Sequence, residues 1–319
     1  MSAWTGARRR VCLQEVGTRD GLQMESVFVP TAEKIALVDS LSEAGLAKIE
    51  VTAFVSPKAI PALRDAEEVM SGISRRHGVV YTALVPNLRG AERAMDCGTD
   101  ELNLVMSATE SHNLANLRMT REQSFAGLAA ITERCAAPRF PVNISLSCAF
   151  GCPMEGDVPQ EGVLDWCRRF VEAGATGVTL CDTTGMAYPP QVDSLAKAFR
   201  ARWPETELTM HFHDTRGLGF ANILAAIDAG VDRFDAALGG LGGCPYAPGA
   251  SGNVCTETVV HALELMDFDT GVDLDRLLAV SRRLPGLVGH DTPSAIVKAG
   301  RRLDLHPMPA SVQRGPGAL

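Results

Sequence analysis

Leu208-Thr209-Met210-His211-Phe212-His213, closed by Asp214-Thr215-Arg216-Gly217, is the stretch on which the fold turns. A short, largely apolar, extended-looking run ends on a polar turn, as a β-strand does. Strand side chains alternate between two faces, so His211 and His213 project from the same one. Two imidazoles one strand repeat apart can converge on a cation; two satisfied core histidines are the plainer alternative. The company they keep elsewhere in the chain decides between these readings.

Working outward, similar β-branched, apolar runs recur at 11–16, 48–54, 79–85, 101–106, 142–147, 177–181, 208–213 and 233–238. Between them lie helix-like stretches at 32–44 (Thr31 as its N-cap), 90–97, 121–135, 162–173, 191–202, 220–229 and 253–266. Several end in glycine, at Gly45, Gly98, Gly174 and Gly230, as helix C-termini do. Strands alternating with helices pair in parallel, and eight such units close on themselves. The expected fold is α/β, a (β/α)8 TIM barrel. Residues 1–10 read as an N-terminal arm and 11–303 as the barrel domain. That domain includes a small C-terminal helical extension at 272–301, and 304–319 form a loose tail rich in Pro and Gly.

The composition agrees with one large packed domain: 319 residues, 46% hydrophobic and 21% charged. A net charge of -8 argues against nucleic acid as a partner, since phosphate binding needs a basic face. Without a run of 18 apolar residues, a membrane partner is not expected either. Arg8-Arg9-Arg10 closes an N-terminus that lacks the apolar stretch of a secretion signal. Nine cysteines stand at 12, 97, 135, 148, 152, 167, 181, 244 and 255, with no Cys-x2-Cys pair for structural zinc. Scattered thiols of this kind suit a reducing cytoplasm.

In such barrels the chemistry sits at the C-terminal ends of the strands. Standing there are Arg19 and Asp20, Glu50 and Thr52, Asn87, Ser147 and Cys148, Asp182 and Thr183, and the two histidines. Packing alone does not explain so many polar groups at one rim. After the eighth strand comes Gly239-Gly240-Leu241-Gly242-Gly243-Cys244, which lacks the glycine order and following helix of a dinucleotide fingerprint. It reads as a mobile loop over the barrel mouth. Its glycines supply freedom of motion, and Cys244 supplies a proton donor or nucleophile.

Three motifs now converge: Glu15-Val16-Gly17-Thr18-Arg19-Asp20-Gly21-Leu22-Gln23, Ile49-Glu50-Val51-Thr52-Ala53-Phe54-Val55-Ser56-Pro57-Lys58, and the stretch from Gly240 through Cys244-Pro245-Tyr246 to Asn253. Together they resemble the 3-hydroxy-3-methylglutaryl-CoA lyase family of metal-dependent barrel lyases, over residues 11–275. The resemblance implies one divalent cation, Mg2+ or Mn2+, held by Asp20, His211, His213 and Asn253; oxygen and imidazole donors without thiolate suit those ions independently. It also implies retro-Claisen cleavage of a tertiary 3-hydroxyacyl-CoA to acetyl-CoA and a keto acid, as in leucine degradation and ketone-body formation.

In that chemistry Arg19 faces the thioester oxygen and Asp20 or His211 carries the hydroxyl proton. Cys244 protonates the carbanion. Glu50 orients Arg19 or a ligand, and Asp182 does likewise or moves a proton; a buried ion pair is the alternative for both. Arg19, Gln23, Thr52, Ser147 and Thr183 are expected to bind substrate, with Lys58 on the CoA side of the mouth. The acyl-CoA partner is expected to meet a homo-oligomer, a dimer or tetramer.

The family pattern also has Arg-Gly-Tyr where this chain has Asn143-Ile144-Ser145. It has Gly at Cys181, Asn at Met24 and Tyr at Met154. These departures imply a different fit for the acyl chain. Two other activities stay open: a condensing synthase of the isopropylmalate or homocitrate type, and a non-catalytic acyl-CoA-binding barrel.

Overall fold

The computed structural model describes residues 9–136, 139–243 and 252–309. Eight strands form its centre: β1 (Cys12–Glu15), β2 (Lys48–Ala53), β3 (Val80–Val85), β4 (Glu101–Ser107), β5 (Val142–Ser147), β6 (Gly177–Asp182), β7 (Glu207–Phe212) and β8 (Arg233–Ala236). All pair in parallel in chain order, and β8 closes on β1 from Cys12↔Arg233 to Glu15↔Ala236. The expected (β/α)8 barrel is therefore the observed one. Three short helices, Leu274–Ser281, Leu284–Val288 and Ala295–Ala299, make up the C-terminal extension. Among the described residues no helix is long and apolar enough to cross a membrane.

Period-two alternation sorts each strand into two faces. On β7, Leu208, Met210 and Phe212 are buried in the layer between sheet and helices, while Thr209 and His211 turn inward. Phe212 is fully buried, its ring 5.9 Å from that of Phe150. Burying a side chain of this size contributes roughly 1.5–3 kcal/mol. Packing of this face thus anchors the strand that carries the histidines.

The barrel interior is polar well below its mouth, which the strand patterns did not disclose. Thr82, Asn103, Asn143, Thr179 and Thr209 are all buried. The N-terminal end is closed by ion pairs of Lys48 with Glu101 and Glu207, the latter also paired to Arg233 at 3.3 Å. A cavity of about 180 Å3 lies among these residues. Its charges neutralise one another, and that end of a barrel serves stability rather than chemistry.

Some local expectations shift. The helices Ala66–Gly72 and Glu110–Leu117 were not anticipated, because about two turns carry too few repeats to show a period. Thr31 does not cap: Pro30 takes that place, and the Thr31 hydroxyl donates to Asp65 at 2.7 Å. Asn87 instead caps the helix Leu88–Asp96, accepting from the Gly90 amide at 3.0 Å. The last barrel helix, Thr256–Leu265, begins three residues later than its expected start at 253. Residues 253–255 are held extended by bridges of Asn253 to His213 and Cys255 to Ala237.

Candidate metal and active site

Directly after β1 the chain folds into a tight turn, Gly17–Gly21, whose Asp20 and Gly21 amides both donate back to the Val16 carbonyl. That turn sets Arg19 and Asp20 at the C-terminal mouth. His211 ends the inward row of β7, and His213 lies just beyond the strand. Ligand atoms of Asp20, His211 and His213, all three residues buried, lie within 4.8 Å of one another. The imidazoles therefore converge, with ring centroids 5.1 Å apart.

Asn253 completes the group from its extended strip. Its Nδ2 donates to Asp20 Oδ2 at 2.6 Å and to the Leu241 carbonyl at 3.0 Å. Its Oδ1 is buried without a hydrogen-bond partner. An acceptor left bare in this way is costly unless something electropositive meets it. A carboxylate, two imidazoles and that amide oxygen fit Mg2+ or Mn2+. His211 Nδ1 donates to Asp235 Oδ2 at 3.1 Å, which fixes the ring and leaves Nε2 for a ligand.

Arg19 is the other centre of charge. Its Nε donates to Glu50 Oε2 at 2.5 Å and its Nη1 to Asp20 Oδ1 at 2.9 Å. Burial works against the guanidinium charge, but Glu50 and then Asp20 hold its pKa above the ordinary value. Burial likewise pushes Asp20 up, yet Arg19, His211 and His213 together bring it below the usual carboxylate range. Burial pushes Asp182 up to about 6. One of its oxygens accepts the Met186 and Ala187 amides at 2.6 and 3.0 Å, organising the loop after β6, while Oδ2 is buried without a partner.

The glycine run has a use beyond freedom of motion. Gly242, at φ +103, passes so near the site that a Cβ would stand 2.6 Å from Asn253 Nδ2 and 3.2 Å from Asp20 Oδ2. Only glycine allows that approach. Cys244 lies outside the described residues.

The HMGL-like family model matches residues 10–284. The chain belongs to the HMGL-like family. A hydroxymethylglutaryl-CoA lyase of Bacillus subtilis is 44% identical over 286 residues, covering 90% of this chain and 96% of that protein. A Pseudomonas aeruginosa protein named 3-hydroxy-3-isohexenylglutaryl-CoA/hydroxymethylglutaryl-CoA lyase is 39% identical, covering 91% and 97%. Among solved structures, an HMG-CoA lyase from Acinetobacter baumannii in complex with coenzyme A and 3-methylmalate has 51% identity and a TM-score of 0.90. That match covers 94% of this chain and 98% of the other.

The other anticipated residues of this HMGL-like chain spread around the mouth. Gln23 Oε1 accepts from Arg19 Nη1 at 3.4 Å. Thr52 is buried beside a register shift in β2, and Ser147 is buried at the end of β5. Thr183 Oγ1 accepts the Cys148 amide at 3.0 Å, bracing the tops of β5 and β6. Lys58 is exposed on the turn after β2. Of the departures from the family pattern, Asn143 and Ser145 both bond to Asn103 inside the barrel, Cys181 is buried, and Met154 is exposed. Sequence reading missed Asp235 and Asn103. Each is a polar residue at an inward strand position, and that parity was the signal available.

Proposed function

We propose that this chain is a carbon–carbon lyase that splits 3-hydroxy-3-methylglutaryl-CoA, or a close tertiary 3-hydroxyacyl-CoA, into acetyl-CoA and a keto acid, acetoacetate in the first case. One observation carries the reading: Asp20, His211 and His213 converge within 4.8 Å, next to an Arg19 paired with both Asp20 and Glu50. The lyases named among its relatives support it, and the coenzyme A complex of one supports a CoA thioester as substrate. The isohexenyl compound in the Pseudomonas relative's name supports some breadth at the 3-alkyl group.

Cleavage takes the proton from the tertiary hydroxyl and turns C3–OH into a ketone. The C2–C3 bond breaks, its electron pair moves onto C2 and the thioester oxygen, and a proton delivered to C2 completes acetyl-CoA. Asp20, His211, His213 and Asn253 would hold Mg2+ or Mn2+, which when bound supplies Lewis acidity toward the hydroxyl. Arg19 meets the charge that grows on the thioester oxygen, and preorganised charge of this kind is often the largest catalytic contribution. Glu50 aims Arg19. His211 is oriented by its Nδ1 bond to Asp235. The hydroxyl proton goes to Asp20 or His211, with Asp182 and its bare Oδ2 as a third acceptor. Cys244 delivers the final proton.

Gln23, Thr52, Ser147 and Thr183 bind the substrate with Arg19, and Lys58 meets the phosphate or pantetheine part of CoA. The eight described cysteines are all free, which supports a reducing, cytoplasmic setting. The test is incubation of the full chain with Mg2+ and a panel of 3-hydroxy-3-alkyl acyl-CoAs, following acetyl-CoA release. Metal-dependent release from at least one of them is expected; none from any would overturn the reading.

A further inference from the structure

Glu50 has two oxygens, and each has a dedicated partner. Oε2 accepts from Arg19 Nε, while Oε1 accepts from Asn103 Nδ2 at 2.6 Å. Asn103 sits on β4, two strands away, and reaches Glu50 past the small Thr82 that pairs with Glu50 on the intervening β3. Its own amide is held in turn. Oδ1 accepts from Asn143 Nδ2 at 3.0 Å and from Ser145 Oγ at 2.8 Å, and Asn143 Nδ2 also donates to Thr179 Oγ1 at 2.9 Å. Side chains of β2, β4, β5 and β6 thus form one chain of hydrogen bonds across the interior, ending at the Arg19 guanidinium.

From this geometry we infer that Asn103 is a positioning residue for Arg19, acting through Glu50. The inference rests on the proposed lyase reading and extends it below the mouth. A carboxylate with only one oxygen engaged can swing about its last torsion. With both engaged, the plane of the Glu50 carboxylate is set, and with it the direction in which the Arg19 fork points. The two bonds from Asn143 and Ser145 to Oδ1 keep the Asn103 amide from flipping, so that its NH2 end always faces Glu50. Asn103 also lowers the cost of keeping Glu50 charged. Burial pushes that carboxyl up, and the Asn103 amide is among the groups that oppose the shift.

Asn103→Ala removes the donor and the acceptor without setting a second carboxyl beside Glu50. Asn103→Leu removes both without adding charge. Each should lower kcat by roughly tenfold to a hundredfold, the loss expected when a partner that orients a site residue is removed. KM and Mn2+ affinity should stay within about threefold, because position 103 lies buried in β4, well before its C-terminal end, and reaches Arg19 only through Glu50.

A second readout needs no substrate. In protein labelled with 15N-arginine, the Arg19 Nε–H resonance, assigned by its loss in Arg19→Lys, should lie downfield and exchange slowly. Both variants should move it toward the ordinary arginine position. An unchanged resonance, or an unchanged kcat in Asn103→Ala, overturns the inference. If both variants misfold, Asn143→Ala tests the same chain one bond further away, and the Arg19 resonance should again shift; no shift counts against us. An inactive wild type with the downfield resonance present would overturn the lyase reading and leave the positioning role standing.

Discussion

The Asn253 amide donates to Asp20 Oδ2 at 2.6 Å, joining residues 233 positions apart in the chain. With the amide nitrogen held in this way, the Asn253 carbonyl oxygen is left buried without a hydrogen-bond partner, on a residue bonded to one member of the Asp20, His211 and His213 group. Removing the amide therefore strips an oxygen donor from the site and a hydrogen bond from Asp20 together.

Metal binding follows from that arrangement. Chelation should abolish acyl-CoA cleavage, and Mg2+ or Mn2+ should restore it. Asn253→Ala should weaken Mn2+ binding, read by electron paramagnetic resonance, by roughly ten- to a hundredfold. Full activity in a verified metal-free preparation would contradict the site.

Arg19 should govern turnover rather than affinity. In the proposed reaction its charge meets an oxyanion present only as the bond breaks, so Arg19→Gln should lower kcat by roughly a hundredfold or more with a modest change in KM. A change confined to KM would make it a docking residue.

Stability should depend on pH through Glu15. Its carboxyl accepts the Gly17 and Leu238 amides at 2.7 and 2.8 Å and the Thr256 hydroxyl at 2.7 Å, tying β1 to the root of the glycine run. Burial outweighs those bonds and pushes it from 4.5 up to about 7. The folded state therefore binds this proton more tightly than the unfolded chain does. The group's contribution is fully present below pH ~4.5 and lost as pH rises through 7. Glu15→Gln mimics the protonated form, so its Tm relative to wild type should improve between pH 5 and 8. A Tm difference that does not change with pH would show that Glu15 is ionised throughout.

Cys244 is tested by its contrast with the other thiols. Cys148, Cys152, Cys167 and Cys181 are buried, and burial holds the Cys167 and Cys255 thiols up near 12, where alkylation is slow. Cys244→Ala should slow turnover by roughly two to four powers of ten and leave Mn2+ binding unchanged. Mass mapping of alkylated peptides should show inactivation tracking Cys244; inactivation that tracks Cys148 or Cys181 would move the proton donor elsewhere.

Along the chain, the barrel was legible because its signals are local. Eight apolar runs, glycines at helix ends and strand parity each need only a few neighbouring residues to be read. The same parity put His211 and His213 on one face, and motif resemblance gathered Asp20, Arg19 and Asn253 around them. What the tertiary structure alone decided is which polar groups meet. The extended strip carrying Asn253 exists because residues 253–255 find partners at the tops of β7 and β8. Asp235 reaches His211 because β8 pairs with β7 in the register His211↔Asp235, and Asn103 reaches Glu50 across β3. Gly242 is glycine because Asp20 and Asn253 occupy the space of its missing side chain. A hydrogen bond depends on distance and direction to within a few tenths of an ångström, and between distant strands those are set by register and closure of the barrel, which no single segment encodes.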